Sequence, residues 1–167
     1  MKWKNSYKPL VVSGAMSVLG AGLLCLSSLY GQSSGHLSVG EVPKVTGKRN
    51  ATVDAKIPVS VLTGFHVNSD KPNSAELIPL KLTWTSTGAL EGGQVVYPKA
   101  QSEKYDFDEK PLSVFTGNFD LTAHFKVKAD APGGPGAAVG KLKYQACSSK
   151  ACYPPKTVDI TVPYQIQ

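Results

Sequence analysis

In three stretches of its last fifty residues this chain alternates apolar and polar side chains at nearly every step. Leu121, Ala123, Phe125 and Val127 are interleaved with Thr122, His124, Lys126 and Lys128. Leu142, Tyr144 and Ala146 flank Lys143 and Gln145, and Val158, Ile160, Val162, Tyr164 and Ile166 alternate with Asp159, Thr161, Pro163 and Gln165. A period of two puts successive side chains on opposite faces of a half-buried sheet, and a helix cannot use such a pattern. Two earlier segments read the same way: residues 52–61, where Pro58 argues for an edge strand or a bulge, and residues 77–85, with Leu80, Leu82 and Trp84 on one face. Sixteen Gly and twelve Pro favour turns, and turn-rich stretches lie at 131–136 and 68–73. After the N-terminal segment no helical period lasts three turns. The expected fold is all-β, a sandwich of two antiparallel sheets.

The N-terminal end follows different rules. Lys2, Lys4 and Lys8 precede an uncharged run from Pro9 to Tyr30, which has the positive start and apolar centre of an export signal. At roughly 20 residues the run is also long enough to serve as a membrane-spanning anchor helix. Residues 1–31 are therefore read as a signal peptide or N-terminal anchor, residues 32–48 as a linker, and residues 49–167 as the folded domain. Both readings of the leader export the remainder. The formal charge of +6 falls to +3 without the three leader lysines, with 15 basic residues facing 12 acidic ones. So small and scattered an excess argues against a nucleic-acid partner.

Export changes what the cysteines mean. Cys25 lies in the leader, which leaves Cys147 and Cys152, five positions apart, to pair in an oxidising compartment. Two strand-like segments run into and out of Ser148–Ala151, so a hairpin would set the two Cys opposite each other, with Cα atoms about 4.5–5.5 Å apart. A ring this small stabilises a fold by roughly 2 kcal/mol, little enough that it can open without unfolding the domain. Lys150 and Lys156 would favour a thiolate, and burial would oppose it. From spacing alone a passive structural staple is the commoner use of such a pair. Structural zinc wants four ligands, and no metal site or organic cofactor is expected. Cys-x4-Cys without a βαβ pattern disfavours a thioredoxin-type site. His36, His66 and His124 read as satisfied or solvated histidines, and no paired carboxylates or nucleophile elbow support acid–base or serine chemistry.

The segment from Tyr144-Gln-Ala-Cys147 to Cys152-Tyr-Pro-Pro155 resembles the active-site stretch of the N-terminal domain of DsbD, the thiol:disulfide interchange protein. Gly64-Phe-His-Val-Asn68, followed by Pro72 and Leu77-Ile-Pro79, is similar to a second stretch of stand-alone relatives, so the likeness covers about 46–165. It implies an immunoglobulin-like fold and a periplasmic relay that takes electrons from thioredoxin-like partners and passes them to oxidised exported proteins. It further implies that Cys152 forms the mixed disulfide and Cys147 resolves it. Phe107, with Asp106 and Asp108 beside it, matches a cap loop covering the disulfide, although as a residue it reads equally as a loop aromatic tucked onto the sandwich. Tyr153 is expected beside the pair. Two features depart from the family pattern. The cysteine loop is one residue shorter, and the chain ends at Gln167 without membrane or thioredoxin-like domains, so either the electron source is a separate protein, such as a membrane electron-transfer protein, or the relay role has been lost. The competing reading is a non-catalytic interaction module with a permanent disulfide.

Overall fold

The computed structural model describes residues 32–33 and 35–167. The leader, with its signal or anchor helix, lies outside them. Among the described residues no helix is long and apolar enough to cross a membrane. Every regular element among them is a strand, in the order β1 Gln32–Ser33, β2 Leu37–Val39, β3 Val45–Gly47, β4 Thr52–Val61, β5 His66–Asn68, β6 Lys81–Ser86 and β7 Leu90–Val96. There follow β8 Gln101–Glu103, β9 Leu112–Phe115, β10 Asn118–Val127, β11 Gly134–Tyr144, β12 Ala146–Cys147 and β13 Lys156–Ile166. They form three sheets, ordered β1-β2-β4-β10-β7, β3-β13-β11-β6 and β12-β5-β9-β8. The domain is all-β.

The alternating segments bury the residues the pattern selects. Ala55, Ile57 and Val59 of β4, Leu121, Ala123, Phe125 and Val127 of β10, and Val158, Ile160, Val162 and Ile166 of β13 join one core cluster. The first two sheets meet across it. Trp84 of β6 packs edge-on against Phe125 of β10 with ring centroids 4.9 Å apart, and its indole N–H donates to the Gly93 carbonyl at 2.8 Å. Tyr164 of β13 buries its ring, and its hydroxyl accepts from the Ala89 amide at 2.9 Å. Burying a large aromatic together with a satisfied polar tip adds area without an orphaned group.

Several expectations need correction. Residues 32–48 do not merely link: β2 and β3 lie within them, and Leu37, Val39 and Val45 are buried. Strands of three residues are too short for periodicity to register. The sandwich is not wholly antiparallel, because β3 runs parallel to β13, with Tyr164 opposite Val45. These two strands come from opposite ends of the domain, so no hairpin dictates their direction. Pro58 lies on an interior strand, between β2 and β10. The Gly40 amide donates to the Pro58 carbonyl at 2.9 Å, so the N–H that proline lacks would have pointed to the same side, just past the last residue of β2. The Gly/Pro stretch at 131–136 is only partly a turn, since β11 begins at Gly134. A Cβ on Gly136 would come within 2.4 Å of the Tyr164 ring, so this glycine clears a strand position for an aromatic neighbour. Conversely, the expected strand at 77–85 forms only from Lys81 onward.

Candidate redox site

The third sheet carries the cysteines. The chain leaves β11 at Tyr144, which faces Lys156, and enters β12 at Ala146, where Ala146 faces Val67 and Cys147 faces His66 of β5. Cys147 and Cys152 then face each other in an antiparallel bridge and are joined by a disulfide, as the hairpin reading expects. Their Cα atoms are 3.9 Å apart, closer than a regular ladder would set them. The ladder is irregular here. Two residues lead from Tyr144 to Cys147, whereas three, two of them prolines without an N–H, lead from Cys152 back to Lys156. Ser148 folds the tip: its amide donates to the Ala151 carbonyl at 2.9 Å, and its hydroxyl accepts from the Lys150 and Ala151 amides.

The two sulfur-bearing residues differ in exposure. Cys147 is fully buried, whereas Cys152 is half-buried at the surface. Neither belongs to the main core cluster. The turn that carries them is braced by Gln145. Its side-chain oxygen accepts from the Asn68 amide group and the Ile78 backbone, both at 3.2 Å, and its nitrogen donates to the Tyr153 carbonyl at 3.3 Å. The Tyr153 amide donates to Ala146 at 2.9 Å. These bonds tie both arms of the turn to the sheet independently of the disulfide.

Two aromatic stacks flank the pair, seeded by neighbouring residues. Phe65 stacks on His36 at 3.9 Å, and Tyr153 leans on both rings at 4.8 Å from His36 and 5.8 Å from Phe65. His66 stacks on Tyr105 at 4.0 Å, and Phe107 lies parallel at 6.4 Å from His66 and 5.6 Å from Tyr105. Phe107 is thus the outer, exposed ring of its stack and Tyr105 the inner one. The 104–110 loop is held by its own bonds, from Lys104 Nζ to the Asp108 carbonyl, from the Asp108 amide to Tyr105 at 3.2 Å, and from the Lys110 amide to the Asp108 carboxylate at 3.0 Å. Asp108 shapes this loop, while Asp106 is exposed. Three of the five large exposed apolar side chains among the described residues, Leu62, Phe107 and Tyr153, lie on segments bordering this end of the domain. A groove of about 380 Å³ runs between Leu62, Phe65, His66, Tyr105, Thr116 and Ser149.

Sequence reasoning set His66 aside as a solvated or satisfied side chain, and the structure corrects that. His66 is buried, and its Nε2 has no hydrogen-bond partner. Loss of hydration pushes its pKa down to about 4, so the ring is neutral near pH 7. Burial, reinforced by the charge of Glu103, pushes the Tyr105 phenol up. His124 does behave as a surface residue, paired to Asp54 at 2.7 Å. Tyr105 was missed, although Tyr105-x-Phe107 has the two-residue spacing that puts both rings on one side of an extended segment. Gln145 was legible as a motif residue without a role. Among the described residues no group of three or more His, Cys, Asp or Glu could hold a metal ion.

Fold and site together define an all-β domain with a small disulfide ring at one sheet end, half open to solvent, with Tyr153 adjoining Cys152 and the stacked His66 paired with Cys147. Residues 36–163 match the family described as thiol:disulfide interchange protein DsbD, N-terminal, and the chain belongs to that family. Among solved structures, the N-terminal periplasmic domain of ScsB from Proteus mirabilis is similar over 78% of this chain, at 13% identity and a TM-score of 0.54. This chain spans about half (46%) of that one. The DsbD N-terminal domain of Neisseria meningitidis in its reduced form aligns with 75% of this chain and 90% of its own, at 21% identity and a TM-score of 0.42. No curated protein sequence matches the chain.

Proposed function

We propose that this domain is a periplasmic thiol:disulfide interchange module, an immunoglobulin-like sandwich that relays electrons through Cys147 and Cys152 to oxidised exported proteins. The observation that carries the reading is the unequal exposure of the pair: Cys152 offers its side of the bond to a partner, while Cys147 is buried. A donor thiolate attacks Cys152 Sγ, the Cys147–Cys152 bond breaks, and its electron pair stays on Cys147 as a thiolate. The donor's second thiolate then attacks its own sulfur in the mixed disulfide, which releases Cys152 and leaves the donor oxidised by two electrons. Reversing these steps against an oxidised exported protein reduces that protein. The donor class is a thioredoxin-like protein, itself supplied by a membrane electron carrier.

Phe107 and Tyr153 act as a cover that a docking partner displaces, with Asp106 and Asp108 on the loop that presents Phe107. Apolar rings at a partially exposed disulfide keep small thiols away and offer a contact surface to a protein. The bracing bonds of Gln145 hold the turn when the ring opens, which a permanent staple would not need. The competing reading is an interaction module with a structural disulfide. Trapping separates the two. Cys147→Ala should retain partners on Cys152 as mixed disulfides that a reductant releases. Capture no greater than with Cys152→Ala sinks the relay.

A further inference from the structure

Cys147 presents a chemical difficulty that the relay alone leaves unsolved. When the disulfide opens, this sulfur becomes an anion at a fully buried position, where water cannot reach it. Lys150 and Lys156, the cations nearest in sequence, are both exposed. The residue directly across the ladder is His66, in register with Cys147. Side chains of such a pair leave the same face of the sheet, with Cβ atoms about 4.5–5.5 Å apart. His66 is also one of two residues among those described that bury a side-chain polar atom without a partner, the other being Asn68. Native proteins seldom leave such an atom orphaned, because an unmade buried hydrogen bond is destabilising. An orphan on the residue paired with Cys147 is explained if its partner exists only in the other redox state.

We propose that His66 receives the buried thiolate: in its Nε2–H tautomer the imidazole donates a hydrogen bond to Cys147 Sγ once the disulfide is open. This rests on the redox reading above and deepens it. The pair of electrons released by cleavage stays on Cys147 Sγ, no proton need leave the ring, and the hydrogen bond breaks again when the sulfur re-forms the disulfide or attacks a mixed one. Neutrality suits the role, because a neutral ring stays in the apolar stack in the oxidised state without a counter-ion. Tyr105, at 4.0 Å, fixes the plane of the imidazole and therefore the direction of its N–H. His66 also lines the groove beside the turn, next to Ser149 of the cysteine loop.

The test compares His66→Phe, which keeps a stacked ring but has no N–H, with His66→Gln, which restores a donor of similar reach. In a Cys152→Ala background, ultraviolet thiolate absorbance gives the pKa of the Cys147 thiol. We expect His66→Phe to raise it by about one unit, a tenfold loss of thiolate at a given pH, and His66→Gln to recover most of that shift. In the wild-type pair, dithiothreitol should reduce the disulfide about threefold faster than in His66→Phe, because the transition state feels only part of the leaving thiolate's stabilisation. Equal pKa values in wild type and His66→Phe, or equal impairment in both variants, would overturn the proposal and leave His66 a packing residue. A measurement without substitution guards against misfolding: the ¹⁵N shift of His66 Nε2 should move on reduction, and an unchanged shift overturns the proposal. Thiol acidity is read without any protein partner. The His66 result is therefore decided even if trapping on Cys152 finds nothing, and a working trap does not rescue it.

Discussion

Acidification is the perturbation that reports most directly on the buried side of the site. Protonation of His66 is disfavoured in the folded domain, where its pKa is lowered to about 4 from the ordinary 6.5. Between these values the unfolded chain binds the proton more readily than the native one, so stability is intact above about pH 6.5 and is lost as pH falls toward 4. A gap of about 2.5 pKa units corresponds to on the order of 3 kcal/mol in all, of which about 2 kcal/mol is gone by pH 5. Against a typical total of roughly 5–15 kcal/mol for a domain, that is a large share. The assay is urea unfolding of wild type and His66→Phe at a series of pH values, from which the difference curve is drawn. Carboxylates and other histidines titrate in both proteins and cancel. The gap should move in favour of the variant by about 2 kcal/mol between pH 7.5 and pH 5. A difference that stays flat over this interval would refute the reasoning, for it would mean that the imidazole is hydrated or paired when folded.

The remaining expectations concern the core and the cover. Tyr164→Phe removes the acceptor of the buried Ala89 amide and should lower stability by about 1–3 kcal/mol in the same unfolding assay. Phe107→Ala removes the outer, exposed ring while leaving Tyr105 stacked on His66, so reduction by a small dithiol should accelerate, which stopped-flow thiol release measures against wild type. Gln145→Ala should speed amide exchange at Ile78, whose N–H loses its acceptor, while leaving β10 protected, which hydrogen exchange by mass spectrometry can map.

How much of this was legible beforehand follows from the length of each element. The ten- and eleven-residue strands β4, β10 and β13 show full alternation because each packs one face on the core, and they were readable residue by residue. β5 was not, because its three residues are all buried, so His66, Val67 and Asn68 alternate in nothing. β7 is broken by Gly92 and Gly93, both at positive φ, where the ladder to β10 shifts register between His124 and Phe125. At the site, the opposed cysteines followed from hairpin logic. The aromatic stacks did not, since His36, Phe65 and Tyr105 come from three separate parts of the chain that only the third sheet and β2 bring together.

The claim underlying all of this is tested by titrating the domain in redox buffers while following thiol labelling and far-ultraviolet circular dichroism on the same samples. The expected result is a two-electron transition of Cys147–Cys152 at a potential above about −300 mV, with the β signal unchanged throughout, since the ring contributes only about 2 kcal/mol. A transition below that potential, or thiols that appear only as the β signal collapses, would contradict the account and make the bond a staple.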